Sequence, residues 1–486
     1  MYDAVVIGSG FGGLAAGLRL VEDNKKVLLC ESLKYPGGCA STFEKKSLHF
    51  ESGATLFSGF GEGQLFEKWR VAHQLPITFS LLSPTVLFRL PEHNISIFPN
   101  REKTIQGFCN IPNAPIAQIR AFFAYQKQIA DILWPVFDDP YRLPPFSWDG
   151  LWWHICRSWR YLRLLPLINT PLINILKKFD LHNFSPFVQY CNALCQITIQ
   201  TDIQHAEAPF ALCTMDYMFR GTGHIQGGVG NLAQAMVQRI EDLGGDIRMP
   251  GRVKAIKRHQ QHWSVQIRNE NIATKSIIAN ILPSGLERLL NTPLPKPEHQ
   301  LQKRVEEGWG AVLLYLIIKD DPSLPSKALH IQCIGDPSLP LLEGNHIFCS
   351  LGASGENLDP NLRTATVSTH IAMPKYQNHN DIPQLISAIQ SAMKTLIQQQ
   401  IPEIYPHILE CLPASPRTFA RFTSRAQGCV GGIPRRKGWK NYQGLWPKPT
   451  HPNLWLVGDS VFPGQSTLST AIGGYRTASA VIKALS

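Results

Sequence analysis

No stretch constrains this chain as tightly as its opening, where the apolar residues 4–7 break into Gly8, Gly10, Gly12 and Gly13 and then into a helix-compatible run, 14–20. Gly8 lets the chain turn tightly out of a strand. Gly10 leaves room for a pyrophosphate to approach the backbone, and Gly13 lets the following helix pack closely on the strand. The phosphates then lie on the helix N-terminus, where free N–H groups and the dipole favour negative charge. Glycines at these offsets arise by chance, so the context decides. A second apolar strand, 26–30, follows and ends in Glu31, 18 residues past Gly13, where an acid takes the ribose hydroxyls. The opening therefore reads as a dinucleotide-binding β-α-β unit.

Beyond Glu31 come Tyr35, Pro36 and the pair Gly37-Gly38, then the aromatic-acid-x-Gly string Phe50, Glu51, Ser52, Gly53, Ala54. This order resembles FAD-dependent flavoproteins of the amine-oxidase and phytoene-desaturase superfamily. Near the far end, the apolar residues 454–457 run into Gly458-Asp459, and Gln465, Ser466 and Thr467 lead to a helix expected over 471–485, with Gly473 and Gly474 near its beginning. Pro416-Arg417-Thr418, Arg421-Phe422, Gly428-Cys429-Val430-Gly431-Gly432 and the string from Gly458 to Gln465 narrow the likeness. They are similar to the carotenoid desaturase and carotenoid isomerase branch, with its retinol-saturase-like relatives. The resemblance implies bound FAD, with Gly37 and Gly38 beside the phosphates and Gly458 and Asp459 at the ribityl arm. It places Gln465, Ser466 and Thr467 near the flavin ring.

Between these blocks, residues 223–231 read as the opening of a helix running to about Leu243. Residues 252–257, 263–268 and 277–280 read as strands. By the same resemblance Val253 offers its main chain to the adenine. The expected fold class is α/β, a doubly wound Rossmann-type FAD domain assembled from 1–62, 220–285 and 410–486. A substrate domain inserted as 63–219 and 286–409 would combine a mixed sheet and helices. Its second part carries strand candidates at 311–318, 346–351 and 364–372 and a helix over 382–401; its first part reads as mostly helical and is rich in proline and aromatics.

At 486 residues the chain exceeds what one core usually supports, so two domains are expected. Its net charge of +11 suits nucleic acid or an anionic lipid surface. No nucleic-acid-binding signature is present, which makes nucleic acid the weakest of these readings and leaves lipid or plain solubility. Residues 151–179 contain no acid, while Trp152, Trp153, Trp159 and Tyr161 alternate with Arg157, Arg160, Arg163, Lys177 and Lys178. That mixture suits an anionic headgroup layer. The uncharged run 164–176 is too short to span a bilayer and holds two prolines. The expectation is a cytoplasmic protein peripherally attached to a membrane. Its eleven cysteines would be reduced thiols, with Cys191 and Cys195 buried and no metal site.

No side chain presents a catalytic triad, paired carboxylates or zinc spacing, so the chemistry falls to the flavin and no catalytic residue is named. The favoured activity is desaturation, cis–trans isomerisation or saturation of a carotenoid or related polyisoprenoid, a hydrophobic polyene, with an unnamed electron partner. Two alternatives stand. One is a flavin amine oxidase, in which Cys429 could attach FAD covalently. The other is a non-catalytic isoprenoid carrier of the GDP-dissociation-inhibitor type.

Overall fold

The structure is a computed structural model that describes residues 1–53 and 55–486; Ala54 lies outside the described residues. Two large sheets organise it. The first holds, in spatial order, strands Val253–Arg258, Trp263–Ile267, Glu270–Ala279, Tyr2–Ile7, Val27–Cys30 and Asp246–Arg248, with Leu454–Leu456 also paired to Glu270–Ala279. Tyr2–Ile7 is parallel to both neighbours. Val5, Val6 and Leu28 are fully buried because both faces are covered, which explains the unbroken apolar runs. On one face the first helix, Phe11–Glu22, lies against the last, Thr467–Leu485. Their backbones touch where glycines coincide: a Cβ on Gly474 would sit 1.8 Å from the carbonyl oxygen of Gly12.

The second sheet runs Ile408–Ala414, Trp309–Lys319, Leu362–Ala372, His346–Leu351, Leu329–Ile334, Val86–Arg89, Asn94–Ile97, with Cys429–Val430 also paired to Trp309–Lys319. All pairs are antiparallel except Leu329–Ile334 with Val86–Arg89. Its face carrying Val312, Leu314, Val367 and Ile347 buries against Ile389, Met393 and Leu396 of helix Ile382–Gln400. The opposite face looks toward a helical layer made by Ile116–Phe137, Leu172–Lys178, Ser185–Thr198 and Ala208–Met215, whose core is a cluster of Phe108, Phe122, Phe123 and Phe187.

Several sequence expectations shift. Residues 223–225 form a strand paired with Phe79–Leu81, and the helix opens only at Val229. The last helix starts at Thr467 rather than 471, so Gly473 and Gly474 fall in its second turn, where the first helix approaches. Ile408–Ala414 lies in the second sheet, although the sequence division groups its residues from 410 with the flavin segments. Phe79–Leu81, Val86–Arg89 and Asn94–Ile97 are strands inside the portion read as mostly helical. Each is three or four residues long, too short for period-two alternation to register.

Candidate active site

The glycine turn after the first strand is built by close backbone contacts. Gly8 has φ of 94°, and a Cβ on Gly13 would lie 1.9 Å from the Gly8 carbonyl oxygen. Gly37 N–H donates to the Ser9 carbonyl at 2.9 Å, and Gly38 sits against Gly10. The helix Phe11–Glu22 then begins with Gly10 as its N-cap, with no side-chain cap and no acid in its first turn. Its leading N–H groups are thus without side-chain partners, the condition for an anion site. Glu31, buried at the end of Val27–Cys30, accepts from Ser9 N–H (2.9 Å) and the Ser9 hydroxyl (2.7 Å) on Oε2. It accepts from the Ser32 hydroxyl (3.0 Å) and Leu33 N–H (2.9 Å) on Oε1.

Two residues that sequence reasoning missed complete this cradle. Asn280, at the end of Glu270–Ala279, places its side chain among the glycines: Cβ atoms on Gly10, Gly12 and Gly458 would lie 2.7, 2.9 and 3.0 Å from its amide. Arg425 donates to Asp459 Oδ2 at 2.8 Å and to the Cys429 carbonyl at 2.5 Å, fixing the Gly458-Asp459 turn. Neither position carries a motif signal, since each arrives from a distant part of the chain. Ser466, the N-cap of the last helix, holds φ of 91° and ψ of 155°, a conformation strained for a residue with a side chain. Its hydroxyl accepts from Ser469 N–H, while Gln465 donates to the Ile197 carbonyl and ties this turn to the helical layer.

Most of these groups surround one cavity of about 870 Å³. Gly8, Gly10, Glu31, Gly37, Gly38, Val253, Gly458, Asp459, Gln465, Ser466 and Thr467 line it, together with Asn280 and Arg425. Gly13 does not; it stands behind the turn, in the helix–strand contact. The cavity continues past this polar end to an apolar wall. Leu133, Trp134 and Phe137 come from the helical layer, and Ala311, Leu313 and Phe348 come from the second sheet. His370 is the one imidazole on the wall among the described residues. Burial holds its pKa down to about 4, so the ring is neutral at neutral pH.

Cys429 turns away from the cavity into the core shared by Val312 and Leu314, whereas its neighbours Val430 and Gly431 line the space. Burial pushes its thiol up to about 11, which removes the thiolate a covalent attachment needs. Cys191 and Cys195 are both buried, and no metal-holding cluster occurs among the described residues. The residues present fit a dinucleotide. A bare helix N-terminus meets a turn whose glycines admit no Cβ, and an acid lies one strand away.

Comparison with known proteins extends this. Residues 6–70 match the NAD(P)-binding Rossmann-like domain, and residues 165–482 match the flavin containing amine oxidoreductase family. Prolycopene isomerase from Daucus carota is 24% identical over 97% of this chain and 78% of its own length. The lycopene-forming phytoene desaturase of Pantoea ananas is 26% identical over 52% of this chain and 50% of its own. An oxidoreductase from Methanosarcina mazei superposes with a TM-score of 0.64 at 15% identity, covering 99% of each chain. A putrescine oxidase does so at 0.63, with 13% identity and the same coverage, so both share the fold. The chain belongs to the flavin containing amine oxidoreductase family and is an FAD-dependent oxidoreductase similar to carotenoid desaturases and isomerases.

Proposed function

We propose that the protein transfers hydrogen to or from carbon–carbon bonds of a polyisoprenoid drawn from a membrane surface. The observation that carries this is the apolar wall, formed by both the helical layer and the second sheet, that continues the cofactor cradle into a large cavity. The relatives that match nearly the whole chain bear prolycopene isomerase names, and the phytoene desaturase matches half of it. FAD, when bound, supplies the hydride acceptor or donor. The chain's part is to hold and desolvate. Gly8 and Gly10 lie at the pyrophosphate with Gly37 and Gly38, and Gly13 lets the helix carry its N–H groups there. Glu31 takes the adenosine ribose, with the rotatable Ser9 or Ser32 hydroxyl giving way. Val253 meets the adenine, Gly458 and Asp459 the ribityl arm, and Gln465 to Thr467 the ring. In this reading 1–62, 220–285 and 410–486 carry the cofactor, and 63–219 and 286–409 carry the substrate.

The membrane contact is assigned to helix Trp148–Tyr161. Trp148, Leu151, Trp152, Ile155 and Trp159 recur at helical spacing and are 40% to 87% exposed, with Leu162 following on the same side. Arg160 and Arg163 flank this face for phosphates. Trp153 and Tyr161, counted in the sequence with the interfacial aromatics, turn inward: Arg142 and Arg157 pack on the Trp153 ring, and the Tyr161 hydroxyl pairs with His154 at 2.6 Å. The inward side of the helix lies near the cavity: the His154 ring packs edge-on against Phe146, whose ring meets Trp446, and the neighbouring Leu143 and Leu445 line the cavity. No helix among the described residues is long and apolar enough to cross a membrane.

The test is an absorption spectrum of purified protein and of its acid supernatant, followed by polyene assays in anionic vesicles. Released FAD with conversion of a polyene supports the reading. Turnover of amines with no change in any polyene overturns it, and absence of flavin after reconstitution favours the carrier.

A further inference from the structure

A second, small cavity of about 30 Å³ lies between the hairpin of strands Thr42–Lys45 and Leu48–Glu51, the start of helix Val229–Asp242 and the second sheet. It has room for a water molecule, and every residue lining it is polar or glycine. Glu51, His224, Ser350, Glu356 and Thr366 line it, and the exposed His49 with Asn357 marks its outer end. The Ser350 hydroxyl bridges it to the main cavity. It lies 2.6 Å from the hydroxyl of Thr55, a residue of the main cavity wall, and 2.7 Å from His330 Nδ1. Thr55 on the main cavity wall thus meets Ser350, and Ser350 and Glu51 line the same small cavity, which a water molecule would bridge.

We propose that Glu51, reached through Thr55 and Ser350, exchanges the proton that accompanies hydride transfer in the main cavity. The inference rests on the carbon–carbon hydrogen chemistry proposed above. With FAD bound, desaturation would take one hydrogen from carbon together with its electron pair, the flavin supplying the hydride acceptor. The hydrogen on the neighbouring carbon leaves as a proton, and the electron pair it leaves behind becomes the new π bond. The proton passes to the Thr55 hydroxyl, which hands its own to Ser350, and Ser350 hands its own through the water site to the Glu51 carboxylate. Saturation runs every transfer backwards, and isomerisation returns the proton to carbon.

Two other titratable groups stand nearby, His370 on the main cavity wall and His330 against Ser350. Burial holds their rings down to about 4 and about 3, so both stay neutral near neutral pH and neither is the proton acceptor there. Glu51 accepts from Val229 N–H at 2.8 Å and from the Thr42 hydroxyl at 3.1 Å on Oε1, while Oε2 is buried and unpartnered. Burial, partly offset by those two donors and reinforced by the Glu356 charge, raises its pKa to about 8. It therefore both takes up and releases a proton near neutral pH. The charged and titratable groups facing it are few. Glu356 is held by His224 (2.7 Å) and by the N–H groups of Gly227 and Ala353. His49 lies on its own strand, and Arg363 stands beyond Glu356; the first turn of the helix contributes only Val229, Gly230 and Asn231.

Infrared titration of the flavin-free protein reads the carboxyl directly. A protonated carboxyl band that disappears around pH 8 and is missing in Glu51→Gln is expected; Gln keeps the acceptor for Val229 N–H and so preserves the fold. A band absent in wild type, or unchanged in the variant, overturns the proposal. In the holoenzyme, Ser350→Ala and Thr55→Val should lower kcat by about 100-fold, leave KM and flavin content unaltered, and slow solvent-deuterium entry into product. Wild-type rates and an unshifted pH profile in both variants would equally sink it. A wild-type protein that converts no polyene overturns the substrate reading alone, since the infrared titration needs no substrate.

Discussion

Glu31 accepts two hydrogen bonds from Ser9 in the glycine turn and two from Ser32 and Leu33 just past its own strand, so a single carboxylate links the end of one strand to the turn of another. Glu31→Ala should lower FAD occupancy, measured as flavin released per protein chain; unchanged occupancy would move the ribose contact to another residue. The buried histidines set a different expectation. Burial holds His330 and His346 down to about 3 and His370 to about 4, so the folded protein keeps all three neutral while the unfolded chain protonates near 6.5. Stability is therefore lost as pH falls below 6.5, by about 1.4 kcal/mol per pH unit for each histidine. Glu51 works in the opposite sense. Its folded pKa lies above the unfolded value, so its contribution is full below about 4.5 and lost as pH rises through about 8. Between pH 6.5 and 4.5 the net effect is a loss of about two such increments per unit, readable by urea titration at several pH values; a flat profile would remove the neutral-histidine assignment.

At the scale of elements, the two faces of the second sheet differ in kind. One buries aliphatic residues against helix Ile382–Gln400, and the other carries His330, Gln332, His346, Ser350, Thr366, Ser368 and His370. A strictly apolar container would not retain so many buried polar groups, because each costs free energy unless bonded. The first and last helices show the reverse economy, with contact set by missing side chains. Gly474→Ala would drive a methyl group into the Gly12 carbonyl and should destabilise the protein by about 1–3 kcal/mol, read as a lower Tm, with flavin content falling because the Gly12 turn moves. The exposed face of Trp148–Tyr161 is independent of both. Trp152→Ser with Trp159→Ser should weaken binding to anionic vesicles in a flotation assay while leaving the Tm within about 1 °C, since both rings are mostly exposed. Undiminished flotation would place the membrane contact elsewhere.

Across the whole molecule, the sequence was most legible where a ligand must approach backbone. Gly8, Gly10, Gly13, Gly37, Gly38 and Gly458 announce themselves because no other residue type fits their spacing, and the buried stretches of the strands beside them, residues 4–7, Val27–Cys30 and Leu454–Leu456, are apolar. Long strands with buried faces, Trp309–Lys319, His346–Leu351 and Leu362–Ala372, were visible for the same reason. Asn280, Arg425 and the Glu51 pocket were not, since their significance lies in side chains brought together from segments hundreds of residues apart. Short strands such as Val86–Arg89 were lost because pairing with Leu329–Ile334, not local pattern, makes them strands. The cradle itself is split between Gly8–Gly38 and Gly458–Thr467, with more than 400 residues between the halves. A ribosome has therefore to finish the helix Thr467–Leu485 before the second half can dock on the first. Flavin uptake therefore waits on the docking of two distant segments and reports that docking, not the folding of either half alone.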